Sequence, residues 1–93
     1  MIKSFRRGET QNIFHRDYSR KLSHNIQQRA FMKLNAIDAV ISIEDLRLPP
    51  SNHLESLSGK RQGQWSIRIN DQWRICFIWI NGNAEKVEIV DYH

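Results

Sequence analysis

The chain has 93 residues, 40% hydrophobic and 26% charged. That composition supports one small core and excludes both a second domain and a disordered tail, so residues 1–93 are read as a single domain. No apolar run approaches the ~20 residues of a membrane helix, and the cationic start has no apolar stretch behind it, so neither a membrane span nor a secretory leader is expected.

A single cysteine, Cys76, permits no internal disulfide and fits a reducing, cytoplasmic setting, with a buried free thiol as the simplest reading. One Cys and four scattered His do not match the spacing of a structural zinc site. The net charge of +4 is uneven. Residues 1–35 hold eight basic residues (Lys3, Arg6, Arg7, Arg16, Arg20, Lys21, Arg29, Lys33) against two acidic ones; residues 36–93 hold six against eight. A basic half suits nucleic acid, a ribosome or an acidic protein, or is simply a solvated helix surface.

In chain order, residues 2–6 read as a short strand and 9–16 as a short helix carrying Ile13 and Phe14. Ser23 is a candidate N-cap, and Ile26, Ala30, Leu34 and Ile37 share one helical stripe, which predicts a helix over 23–39. The β-branched Val40-Ile41-Ser42-Ile43 ends it. Residues 43–48 read as a turn of helix, and Pro49-Pro50-Ser51-Asn52 as a break. His15 and His24 fit surface or capping positions, and His53 a loop.

Beyond the break the period changes to two. Trp65, Ile67 and Ile69 alternate with Gln64, Ser66, Arg68 and Asn70; Trp73, Ile75, Phe77 and Trp79 alternate with Arg74, Cys76, Ile78 and Ile80; Val87 and Ile89 continue the pattern over 85–92. Three strands joined by short turns make an antiparallel meander. The tryptophans belong to its packed face. The expected fold class is α+β, with N-terminal helices packed on one face of a small antiparallel sheet.

Register sharpens this picture, because residues opposite each other share a sheet face. Pairing Ile69 with Trp73 sets Arg68 opposite Arg74; pairing Ile69 with Ile75 sets Asn70 there instead. Both registers leave Arg68 and Arg74 on the face away from the tryptophans. A plain two-residue turn at Asn81-Gly82 would pair Phe77 with Lys86, mixing core and polar faces. A three-residue loop or an equivalent bulge avoids that. Glu88, Val90 and Tyr92 then join the arginine face. Two facing arginines repel unless an anion sits between them. Either a phosphate or carboxylate ligand supplies it, or Glu88, Asp91 or Glu55 does so internally.

The run Gln64-Trp65-Ser66-Ile67-Arg68-Ile69-Asn70-Asp71-Gln72-Trp73-Arg74-Ile75-Cys76-Phe77 carries a family resemblance. So do the closing Val87-Glu88-Ile89-Val90-Asp91-Tyr92-His93, the preceding Leu57-Ser58-Gly59 and the opening Met1-Ile2-Lys3-Ser4-Phe5. Together they resemble the HigB (host-inhibition-of-growth, killer) toxins of the RelE/ParE superfamily, over essentially the whole chain. The resemblance implies a RelE/ParE-like fold with its cleft on the uncovered sheet face. It also implies a cytoplasmic, ribosome-dependent endoribonuclease that cuts mRNA during translation. The implied partners are a HigA-type helix-turn-helix antitoxin and, through it, operator DNA.

In such a reaction the RNA 2′-hydroxyl attacks the adjacent phosphate, so one group takes a proton, another protonates the leaving 5′-oxygen, and cations stabilise the phosphate oxygens. No metal or other cofactor is required. Motif and register point to Arg74 for phosphate contact, against a structural ion pair with Glu88 or Asp91. Arg68 is second, on the same face. Arg61 and Lys60, in Gly59-Lys60-Arg61-Gln62-Gly63, suit RNA backbone or plain solvation. Tyr92 suits base stacking or a hydrogen bond to phosphate, or a place at the core edge. Histidine's unperturbed range lies near neutrality, so His93 suits a proton carrier, or frays as the last residue. Several relatives carry His and Lys where this chain has Glu55 and Ser58. Glu55 can act as a base, but Ser58 cannot replace a cation. That departure keeps open a growth inhibitor with weak or no nuclease activity acting on ribosomes or, ParE-like, on DNA gyrase; the basic helical half keeps open an inert domain that only binds its antitoxin and operator.

Overall fold

A computed structural model describes residues 1–17 and 21–91. Helix α1 (Gly8–Phe14) buries Thr10 and Ile13, one turn apart, and carries Glu9 in its first turn, where a carboxylate favours the helix dipole. It stops short of the predicted residue 16 because Arg16 takes a left-handed φ of 65°. Helix α2 (His24–Ala39) starts at the expected cap: the Ser23 side chain accepts a hydrogen bond from the Ile26 amide at 3.4 Å. Val40 ends it in extended backbone. The buried stripe is Gln27, Ala30, Leu34 and Ile37, so Gln27 takes the place predicted for Ile26, which is half-buried. At 3.6 residues per turn, position 27 continues the Ala30–Leu34–Ile37 line better than 26. Its amide is satisfied there by donating to the Leu22 carbonyl at 2.8 Å.

Two 3-10 turns, Ile43–Arg47 and Pro50–Asn52, cross from the helices to the sheet. Asn52, the last residue of the second, is fully buried. It donates to the carbonyls of Leu46 (3.0 Å) and Leu48 (3.2 Å) and accepts from Lys33 Nζ, tying the crossing to α2.

The sheet has four antiparallel strands in sequential order: β1 (Glu55–Ser56), β2 (Gln64–Arg68), β3 (Trp73–Ile80) and β4 (Asn83–Asp91). The meander predicted from sequence is β2–β4; β1, two residues long, is too short for any period to show. The N-terminal segment is not a regular strand. It runs parallel to β4 through two isolated bridges, Ile2↔Ala84 and Phe5↔Val87. Between them β4 bulges at Lys86 (φ 52°), whose amide donates to Ser4 Oγ at 2.9 Å, so the pairing is interrupted.

The β2–β3 register places Arg68 opposite Arg74, Ile67 opposite Ile75 and Trp65 opposite Phe77. The β3–β4 turn is the two-residue Asn81-Gly82, both with positive φ (52° and 78°), as a tight hairpin turn demands. The bulge then corrects the phase, as the sequence pattern requires: Cys76 pairs with Glu88 and Ile75 with Ile89. One sheet face therefore carries Ile67, Ile69, Ile75, Phe77, Val87 and Ile89 onto Ile13, Ala30, Leu34 and Ile37, with the three tryptophans partly buried around them. Each fully buried aliphatic side chain contributes about 1.5–3 kcal/mol. The opposite face holds a small cluster of Leu57, Cys76 and Val90 among charged residues. Among the described residues, no helix is long and apolar enough to cross a membrane.

Candidate active site

Strand pairing sets Glu55, Ser66, Cys76 and Glu88 in a row across the face away from the helices, one residue from each strand. Arg68 and Arg74 form the next row, two residues along their strands, roughly 7 Å away. This face is thus built from side chains of the same parity as Arg74, with the helices on the other side, and at its centre Ser66, Arg74, Cys76 and Glu88 are buried by the protein's own chain.

Arg74 is only 7% exposed. Its Nε donates to Ser66 Oγ at 2.8 Å, and Nη2 donates to the His53 carbonyl at 2.6 Å. Nη2 also lies 3.1 Å from Glu55 Oε1. His53 is a loop residue in left-handed conformation that ends the second 3-10 turn. Its role here is its backbone oxygen. Arg68 turns away from Arg74 to pair with Asp71 in the β2–β3 turn. The expected repulsion is relieved internally, by Glu55 for Arg74 and Asp71 for Arg68. Asp71 was not foreseen from sequence.

Glu88 is not the partner of Arg74. It is 2% exposed and receives three other guanidiniums: Arg6 Nε at 2.9 Å, Arg61 Nη1 at 3.4 Å and Arg7 Nε at 3.6 Å. Arg61 stands on a 3-10 turn (Gly59–Arg61) and also donates to Gln64 Oε1 at 3.1 Å, so it folds over the sheet instead of trailing in solvent. Lys60 is exposed in that turn, and Ser58 precedes it. Between the Arg74 and Glu88 groups sits the fully buried Cys76. Burial pushes its thiol up; Arg61 and Arg74 pull it down, while Glu88 and Glu55 push the same way as burial.

Arg68 also borders a concavity of about 160 Å³, lined by Arg29, Lys33, Ser51 and the 69–71 turn. Burial, with Arg29 second, holds Lys33 below the usual lysine range. Tyr92 and His93, named from sequence as stacking and proton-carrying groups, lie outside the described residues, as does Arg20. Arg74, Arg68, Glu55 and Arg61 come together on one face. Arg6 and Arg7 were missed as site residues. Their adjacency was visible, but only docking of the N-terminal segment beside β4 brings them to Glu88.

The model of a RelE-like toxin family, HigB of type II toxin–antitoxin systems, matches residues 3–93. The chain belongs to this HigB-like toxin family. Toxin HigB-1 of Vibrio cholerae is 42% identical over 65 residues, covering 70% of this chain and 68% of that protein. Endoribonuclease HigB of Proteus vulgaris is 34% identical over 93 residues, the full length of both. Among solved structures, a YoeB–YefM complex from Staphylococcus aureus contains a chain that superposes with a TM-score of 0.64 at 15% identity, covering 100% of this chain and 98% of that one. The fold of two helices on one face of an antiparallel sheet is therefore shared well beyond the HigB-like relatives. The open face with Arg74 is what this member of the family presents opposite its helices.

Proposed function

We propose that this HigB-like chain is a ribosome-dependent mRNA endoribonuclease that acts in the cytoplasm and arrests translation. The full-length similarity to a protein named Endoribonuclease HigB supports the reaction class. The observation that carries the reading is the three-point anchoring of Arg74 on the sheet face away from the helices, by Ser66, the His53 carbonyl and Glu55.

In the proposed reaction the 2′-oxygen bonds to phosphorus as its proton passes to a base, and the bond to the 5′-oxygen breaks as that oxygen gains a proton. The products are a 2′,3′-cyclic phosphate and a 5′-hydroxyl. Arg74 and Arg68 stabilise the charge on the non-bridging oxygens. Glu55 accepts the proton, His93 returns one, and Tyr92 stacks on a base. A guanidinium held in place needs no reorganisation as the charge builds. The proposed partners are a HigA-type helix-turn-helix antitoxin, operator DNA bound through it, and the ribosome with its mRNA.

Primer extension on RNA from cells expressing the chain tests this. Wild type should give discrete new 5′ ends within translated messages, lost with Arg74→Ala and on co-expression of the antitoxin. The same messages stripped of ribosomes should stay intact. Growth arrest without new 5′ ends would overturn the nuclease reading, and inhibition of supercoiling by the purified protein would replace it with gyrase binding.

A further inference from the structure

The arginines of the open face are not equally balanced by acids. Arg74 is matched by Glu55 and Arg68 by Asp71. Arg6, Arg7 and Arg61 all share the single carboxylate of Glu88. Among the described residues no second carboxylate pairs with any of the three. Two positive charges are therefore uncompensated at this end of the face.

The geometry favours an external anion. Glu88 is buried, while the Arg6, Arg7 and Arg61 side chains are 45%, 62% and 37% exposed. The carboxylate forms a floor and the guanidiniums a rim above it. Arg6 and Arg7 approach Glu88 most closely through Nε, and a guanidinium carries further donors in the forked pattern that suits phosphate oxygens. The rim is also held in place. The Arg6 amide donates to the Val87 carbonyl at 3.0 Å, next to Glu88, and Arg61 is fixed by Gln64. Arginines brought together from three chain positions around one acid would repel one another unless a further anion completed the set.

We propose that Arg6, Arg7 and Arg61, organised by Glu88, form a phosphodiester-binding site that grips single-stranded RNA beside the Arg74 site. Glu88 lies opposite Cys76, two residues along β3 from Arg74, so the two sites are roughly 7 Å apart along the sheet. A strand crossing Arg74 would thus lay a neighbouring phosphate on the rim. The choice of RNA as the polyanion rests on the ribonuclease reading; the anion site itself rests on the charge geometry. Glu88 is a positioning residue, and the three arginines make the contacts.

The test uses a fluorescent RNA oligonucleotide methylated at every 2′-oxygen, so binding is read without cleavage. Binding by the intact chain should weaken linearly on a log–log plot against salt. Arg6→Gln with Arg7→Gln should lower affinity at least tenfold and reduce the salt slope by about 1.4, since each phosphate contact on a single strand contributes about 0.7. Lys21→Gln with Arg47→Gln removes the same charge from exposed positions elsewhere and should change the slope far less. Equal losses from both double variants would mean that only net charge matters and would overturn the site. So would wild-type affinity in the first variant, or no binding by wild type at low salt. A chain that shows the expected slopes yet cuts no translated message keeps this site and loses the ribonuclease reading.

Discussion

Arg68 and Arg74 face each other across the β2–β3 ladder, yet their charged ends part: Arg68 reaches Asp71, and Arg74 reaches Glu55 and the His53 carbonyl. Arg74 is buried and multiply bonded, and Asp71 is 97% exposed. Arg74→Lys keeps the charge but cannot serve Ser66 and His53 together. It should cost about 1–2 kcal/mol in chemical denaturation and slow message cleavage by about 10²–10³-fold. Asp71→Ala should change stability by less than about 0.5 kcal/mol.

Asn52 offers a test of the crossing between helices and sheet. Asn52→Ala would strip a hydrogen-bond donor from the carbonyls of Leu46 and Leu48 and an acceptor from Lys33. A loss of about 2–4 kcal/mol is expected, read from the urea midpoint.

The two faces of α2 should respond differently. Leu34 is fully buried, whereas Met32 is 70% exposed. Leu34→Ala should cost about 2–5 kcal/mol, and Met32→Ala less than about 0.5 kcal/mol. Thermal melts of both variants check the pair.

The Cys76 thiol gives stability a pH dependence. Burial raises it in the folded chain, so above about pH 9 the unfolded chain releases the thiol proton first. That contribution is full below the unfolded thiol's range and is lost as pH rises towards the folded value. Lys33, held low, acts with the opposite sign: in its window the unfolded chain holds more protons, so stability gains as pH rises. The difference between wild type and Cys76→Ala isolates the thiol. Urea midpoints from neutral to alkaline pH should converge as pH rises, and a maleimide should label Cys76 only after unfolding.

The sheet was legible because large apolar residues recur at every second position over Trp65–Ile69 and again over Trp73–Trp79, which sets the faces before any register is chosen. The helix cap at Ser23 was legible for a local reason, a hydroxyl just ahead of an apolar stripe. Other features depend on contacts distant in sequence. Glu55–Ser56 is a strand only because Ser66 and Trp65 pair with it. The opening segment lies beside β4, more than 80 residues on, and brings Arg6 and Arg7 to Glu88. Gln27 enters the core because the Leu22 carbonyl awaits it, a fact no hydropathy pattern carries. For the site, parity predicted the shared face of Arg68, Arg74 and Glu88, but not which acid each arginine meets.

The bulge at Lys86 makes β4 unequally tolerant of changes in length. Deleting that one residue would straighten the ribbon and leave Glu88 opposite Cys76, on its present side. Inserting one more beside it, in an otherwise unchanged ladder, would bring Val87 opposite Cys76 and rotate the Glu88 carboxylate beneath the helices. Natural or engineered indels in this strand should therefore survive as losses and fail as gains.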